Sequence, residues 1–245
     1  GIVQKSAFGK YLLKFILNKH DIIYLREPED RKILSRLNVN TKAFNSADVV
    51  FLNKFKKKTE IIKPDTPILG VNLNKYIDEQ SNTRNKVSYN EFIRIVARNL
   101  DEIISKFSSK IIFFPTAKMD IKIHLDVKRI MENHSSVKLL FYENYVDLLE
   151  EISKIHILIG MRMHSLIFAT LQGKPVCSLN YNPKVTGFMK QLGLTTHSHE
   201  IYDLNQKTLF NSINEILNNY DYYTMLQSRN NQDLAQKAKL SQNSL

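Results

Sequence analysis

Cysteine occurs once in the 245 residues, at Cys177. A disulfide framework and any multi-cysteine zinc or iron–sulfur centre are therefore excluded, and a reducing compartment is permitted. Glycine and proline are scarce, at 7 and 6 residues, which excludes collagen-like and low-complexity classes. No uninterrupted apolar run reaches the roughly 18–20 residues that cross a bilayer as a helix. The opening stretch lacks the basic-then-apolar order of a secretory signal. Acidic side chains are outnumbered, 24 against 35 basic ones, for a formal net charge of +11. What is present is ordinary for a globular chain: 43% apolar and 24% charged residues, enough to bury a sizeable core.

The positive excess is uneven. Residues 1–63 hold 14 basic and 6 acidic side chains, leaving a net of only +3 for the rest. It fits either a solvated lysine-rich surface or a polyanionic partner, such as nucleic acid, an anionic membrane surface or a phosphorylated substrate. Aromatic residues are dispersed, with no basic–aromatic interleaving of the RNA-binding kind, so nucleic acid is disfavoured.

Hydrophobic periodicity predicts alternating helices and strands. Residues 7–17 place Phe8, Leu12, Phe15 and Ile16 on one helical face, read as packing on a sheet in preference to lying on a membrane surface. Residues 22–25 read as a buried strand, 27–38 as a helix and 48–52 as a short strand. The lysine run 54–58 and the stretch Pro64–Pro67 mark a domain boundary. Beyond a polar loop at 78–88, strands at 68–73, 110–114, 137–141, 155–159 and 175–179 alternate with helices at 89–107, 121–134, 145–153, 164–172 and 184–192. Further helices follow from 206. Five such β–α steps predict an α/β Rossmann-like domain with a parallel sheet over 66–205. The boundary sets residues 1–65 apart as a first, separate domain segment, and residues 206–245 read as C-terminal helices.

In open α/β sheets, ligands bind beyond the carboxyl ends of the strands. After the 155–159 strand comes Gly160-Met161-Arg162-Met163-His164-Ser165. Gly160 permits a tight turn and close approach of a ligand. Arg162 carries a fork that matches phosphate or carboxylate, and His164 can give a proton near neutral pH. Ser165 is placed to cap the next helix, whose N-terminus attracts anions. Lys184 opens the following helix, an unusual place for a cation unless an anion is bound. Arg26 follows the 22–25 strand, and Tyr181 the 175–179 strand. Three basic groups on adjacent strand-end loops point to one small polyanion. No GxGxxG, P-loop, CxxC or HExxH motif is present. The run His197-Ser198-His199-Glu200 reads as a polar loop and not a metal cluster. Cys177 reads as a packed thiol, and His20, His124, His134 and His156 as structural.

The run Ile157-Leu158-Ile159-Gly160-Met161-Arg162-Met163-His164-Ser165-Leu166-Ile167-Phe168-Ala169 resembles the signature of the polysaccharide pyruvyl transferases. It is followed by Gly173-Lys174-Pro175-Val176 and Tyr181-Asn182-Pro183-Lys184-Val185, in the order R-x-H, G-x-P, Y-x-P-K. Leu25-Arg26-Glu27-Pro28-Glu29 resembles the family's R-[DE]-x-x-S turn, with Asp30 in place of the serine. Ala47-Asp48 resembles the strand after it, and Pro115 to Asp120 a proline-to-aspartate loop. The resemblance implies a GT-B-like pair of Rossmann-like domains with the site in the cleft between them, the first truncated at its N-terminus. It also implies transfer of a pyruvyl group from phosphoenolpyruvate to a sugar, usually as a cyclic ketal. Arg26, Arg162 and Lys184 would hold phosphoenolpyruvate, His164 would act as acid or phosphate ligand, and Met163 would offer its backbone N–H. Gly160, Ser165 and Tyr181 would complete the substrate site. The family's glycine-rich N-G-D loop lies ahead of the Arg26 turn and outside this chain. The expectation is therefore a portion of a longer enzyme, or a domain completed by another polypeptide.

The expected partners are phosphoenolpyruvate as co-substrate and a sugar or saccharide acceptor, lipid-linked or nucleotide-linked. No cofactor or metal is expected. The implied location is the cytoplasm, with peripheral contact at the inner face of the membrane. Two rival readings stand beside it: a GT-B glycosyltransferase using a nucleotide sugar, whose diphosphate the same basic loop would bind, and a non-catalytic fragment.

Overall fold

The computed structural model describes residues 6–53, 64–75 and 87–242. It divides into two compact units: Gly1–Lys54 with Asn230–Leu245, and Phe55–Arg229. This differs from the expected segments 1–65, 66–205 and 206–245, because the helix after residue 206 packs into the larger unit and the chain's end into the smaller. The expected polar loop at 78–88 and the lysine run 54–58 fall largely outside the described residues.

The smaller unit opens with α1 (Ala7–Leu17), capped by the Ser6 hydroxyl, which accepts from the Gly9 N–H at 3.0 Å. Its expected packing on a sheet is not made: Phe8, Leu12, Phe15 and Ile16 are all exposed. Strands β1 (Ile22–Leu25) and β2 (Lys42–Asn45) pair in parallel across α2 (Asp30–Arg36). The strand expected at 48–52 is instead a 3-10 turn, Val49–Leu52. Asp48 turns the chain there by accepting from the Val50 N–H at 3.1 Å, an Asx-type competition with ladder pairing. The strand itself forms a few residues earlier, in a stretch with little apolar alternation.

The larger unit is a six-stranded, wholly parallel sheet: β3 (Ile68–Asn72), β4 (Lys110–Phe113), β5 (Val137–Leu139), β6 (Ile157–Gly160), β7 (Val176–Asn180) and β8 (Ser198–Glu200). Their spatial order is β5-β4-β3-β6-β7-β8. The chain thus winds outward from β3 in one direction, returns, and winds outward in the other, as in a doubly wound Rossmann sheet. β8 adds a sixth strand to the five expected. It falls in the 197–200 run, where alternating polar residues hide an edge strand. Strands β6 and β7 are buried along their whole length, which explains the unbroken apolar run of β6.

Helices α3 (Tyr89–Phe107), α4 (Ile121–Ile130) and α8 (Thr208–Asn218) pack together, and α5 (Tyr145–Lys154), α6 (Met163–Leu171) and α7 (Pro183–Gln191) form a second group. The apolar face of α3, with Phe92, Val96, Leu100 and Ile103, is fully buried. Asn99 interrupts that face for a reason. Its Oδ1 accepts from the Leu209 and Phe210 N–H groups at 3.0 and 3.1 Å, capping α8 from a neighbouring helix. The last helix, α9 (Tyr220–Gln242), closes the chain. Among the described residues no helix is long and apolar enough to cross a membrane.

Candidate functional site

The winding reverses between β3 and β6, so the carboxyl ends of these two strands open the crevice where a doubly wound sheet binds its ligand. β3 ends in Asn72 and β6 in Gly160, and the two are direct partners in the ladder. Asn72 is wholly buried. Its Oδ1 accepts from the Arg162 backbone N–H at 3.2 Å and from the Ser165 hydroxyl at 3.1 Å. Its Nδ2 donates to the Phe114 carbonyl at 2.5 Å and to the Thr116 hydroxyl at 3.3 Å. One amide therefore ties together the loops after β4 and β6.

Gly160 does not serve a positive-φ turn. A Cβ there would lie 2.8 Å from Leu166 Cδ2 and 3.1 Å from the Ser165 hydroxyl. The glycine lets α6 press onto the strand that feeds it, so the close approach is to the helix. Ser165 is not the cap of α6 either. The Ncap position is Arg162, and the Ser165 hydroxyl donates back to the Arg162 carbonyl at 2.6 Å. This fixes the turn that carries Arg162, Met163 and His164.

The Arg162 guanidinium is held by Asp120. Nε donates to Oδ2 at 2.6 Å and a terminal nitrogen to Oδ1 at 2.9 Å, with Arg162 28% and Asp120 0% exposed at the side chain. These hydrogen bonds push the guanidinium pKa above its ordinary value. The Lys75 N–H also donates to Asp120 Oδ1, at 3.2 Å. One turn further, His124 is sealed in the core. Its Nε2 accepts from the Leu73 N–H at 3.0 Å, so Nδ1 carries the proton and donates to the Asp120 carbonyl at 2.8 Å. Burial pushes the His124 pKa down to about 4. A neutral imidazole thus pins the Asp120 turn to the end of β3.

His164 lies exposed in the first turn of α6, its ring tilted against Phe168. Met163 is the first helical residue, where N–H groups have no intrahelical acceptor. Lys184 is part-buried in the first turn of α7, behind the Asn182 cap and Pro183; its own N–H donates to Asn182 Oδ1 at 3.0 Å. Tyr181 precedes that cap, part-buried and near enough to act on the Arg162 charge. Arg26 belongs to the smaller unit. There it follows β1, donating to Asp48 at 2.9 Å and Glu27 at 3.2 Å. Of the remaining histidines, His156 Nδ1 accepts from the Ile68 N–H at 2.9 Å, a structural role. His197 is buried, and His199 Nε2 meets the Ser212 hydroxyl at 2.7 Å. Among the described residues no group of three or more His, Cys, Asp or Glu could hold a metal. Cys177 is a buried thiol pushed up to about 12 by burial.

Asn72 passed as one more residue of an apolar strand in the sequence, and Asp120 as the end of a loop. The available signal was a polar residue at the carboxyl end of the strand where winding begins.

A model of the polysaccharide pyruvyl transferase family matches residues 1–183. The chain belongs to the polysaccharide pyruvyl transferase family. That match includes Arg26 and the Arg162–Ser165 turn and stops one residue before Lys184. The chain is also 36% identical over 66 residues to the amylovoran biosynthesis protein AmsJ of Erwinia amylovora, covering 27% of this chain and 16% of AmsJ. Among solved structures it is similar to S. aureus MnaA in complex with UDP (TM-score 0.60, 13% identity, 89% of this chain and 58% of that one). It is likewise similar to the UDP-GlcNAc 2-epimerase of Neisseria meningitidis bound to UDP-GlcNAc (TM-score 0.59, 11% identity, 95% and 62%). These likenesses show a GT-B-like fold for this member of the pyruvyl transferase family. The chain spans less than two thirds of the length of each.

Proposed function

We propose that this chain carries the phosphoenolpyruvate-binding part of a pyruvyltransferase that acts on a sugar of a surface polysaccharide or of its lipid-linked or nucleotide-linked precursor. The observation that carries the reading is the Arg162–Met163–His164 turn at the switch point of the sheet, with Arg162 oriented by a buried carboxylate. Phosphoenolpyruvate bears a phosphate and a carboxylate. It needs a directional donor fork and a compact cation, which Arg162 and Lys184 supply, together with the N–H groups that begin α6.

In the proposed reaction a proton adds to the terminal methylene carbon of phosphoenolpyruvate, and the central carbon becomes electrophilic. A sugar hydroxyl adds there and loses its proton. A second hydroxyl displaces phosphate by C–O cleavage, which closes the ketal. His164, exposed beside Arg162 at the start of α6, is the residue suited to give the first proton or to bind the departing phosphate.

The direct test is a thermal shift titration of the chain with phosphoenolpyruvate, since a ligand bound only by the folded state raises stability once its concentration exceeds Kd. A rise that disappears in Arg162→Ala is expected, as is loss of transfer in the complete enzyme on replacing Arg162, His164 or Lys184 by alanine. No rise in the parent chain, or near-normal transfer in those variants, overturns the reading. A second reading, a glycosyltransferase using a nucleotide sugar, draws support from the fold shared with UDP-bound enzymes. It expects UDP or GDP, and not phosphoenolpyruvate, to stabilise the chain through Arg162.

A further inference from the structure

On the β3 side of the Arg162 turn, the loops after β4 and β5, two and three strands from β6, border an open cavity of about 350 Å3. Pro115, Thr116 and Lys118 come from one side, Leu140, Phe141 and Tyr142 from the other, and Ile121 from the start of α4. Two of these residues join the cavity to the site already described. Thr116 accepts from Asn72, the amide that also holds the Arg162 backbone. The Tyr142 hydroxyl donates to the Pro115 carbonyl at 3.0 Å, and its phenol lies within reach of the charges of both Asp120 and Arg162. The cavity is thus a lateral extension of the same rim.

Its chemistry differs from the rim's. The walls are mostly carbon, and the polar groups are few: the Thr116 and Tyr142 hydroxyls and the Lys118 ammonium. Phe141 is 71% exposed, an aromatic face held at the surface where a core residue would have turned inward. A bare sugar ring presents a hydroxyl on nearly every carbon and needs a partner for each that is buried. A flat heteroaromatic ring presents two apolar faces and a few polar edge atoms, which suits this lining. The three-carbon body of phosphoenolpyruvate is too small to occupy both the rim and this volume. Lys118 provides a cation for phosphates leading from the cavity.

We propose that the cavity seats the nucleobase of a nucleoside diphosphate against Phe141. Taken with the pyruvyltransferase reading, on which this step rests, the acceptor sugar then arrives on a nucleoside diphosphate, with its phosphates passing Lys118. The nucleotide and phosphoenolpyruvate occupy neighbouring sites and bind together.

The test is calorimetric or thermal-shift titration of the 245-residue chain with UDP, GDP, ADP and dTDP, each alone and with saturating phosphoenolpyruvate. At least one nucleotide is expected to stabilise the chain, and its effect to add to that of phosphoenolpyruvate. Phe141→Ala, at an exposed position that the fold does not need, is expected to weaken the nucleotide about tenfold, the size of a lost base–aromatic stack. It should leave the phosphoenolpyruvate response intact. Lys118→Ala should weaken the diphosphate more than the bare nucleoside. Failure of all four nucleotides to bind, an unchanged affinity in Phe141→Ala, or mutual exclusion of nucleotide and phosphoenolpyruvate each overturns the proposal. A chain that binds nucleotide but not phosphoenolpyruvate instead overturns the pyruvyltransferase reading and leaves the cavity's assignment standing.

Discussion

His124 shows how a single buried side chain can make the site sensitive to pH without taking part in chemistry. Its pKa falls to about 4 in the folded chain because burial removes water from the imidazolium, while an unfolded histidine titrates near 6.5. Between these values the unfolded state binds the extra proton, so stability is complete above about pH 6.5 and falls as the pH drops toward 4. The cost between pH 7 and pH 5 is about 2 kcal/mol. Urea unfolding of the parent chain and of His124→Gln at both pH values isolates it: the parent is expected to lose about that much more than the variant. The other histidines lowered by burial, His156, His197 and His199, act equally in both proteins. Equal losses would mean that His124 is not held neutral.

At the scale of the element, the unit β6–Gly160–α6 works because the strand and the helix after it nearly touch. Gly160→Ala drives a methyl group into Leu166 and the Ser165 hydroxyl. A loss of about 1–3 kcal/mol is expected, as for an overpacked core, and thermal denaturation reads it. An unchanged melting temperature would mean that α6 can shift away, and the Arg162 turn with it. Much at this scale was legible in the chain itself. The span of α3 follows from its 3.6-residue apolar period, and β6 from an unbroken apolar run, because a strand covered on both faces needs no polar alternation. The Arg162–Ser165 turn was readable by its place after a strand. The failures have physical causes. The stretch 48–52 is as apolar as a strand, but Asp48 diverts its backbone into a turn. β8 is an edge strand made of polar residues. α1 carries a helical apolar stripe, yet a stripe does not specify what it faces. Asn72 and Asp120 were not recognised as site residues, since what makes them important is a set of partners 42 to 93 residues away in the chain.

For the molecule as a whole, the six-stranded sheet determines when Cys177 can react. The thiol sits on β7, the fifth strand of six across the sheet, with no exposed surface, and burial pushes it up to about 12. Alkylation by iodoacetamide at pH 8 is expected to follow opening of the entire larger unit, with a rate that tracks urea concentration through the unfolding transition. Rapid labelling of the native chain would show that β7 and β8 separate on their own.

The pairing of Arg162 with Asp120 has a further consequence for how an anion finds the crevice. A guanidinium alone would attract phosphate out to the screening distance, about 8 Å at physiological ionic strength. Here a carboxylate lies within hydrogen-bond distance, so from afar the pair is a dipole with no net charge. It acts only at contact, through direction and not through reach. Long-range attraction falls to ammonium groups such as Lys184 and Lys118. Capture and recognition of the anion are thereby divided between two kinds of cation, and added salt should slow the first while leaving the second almost untouched.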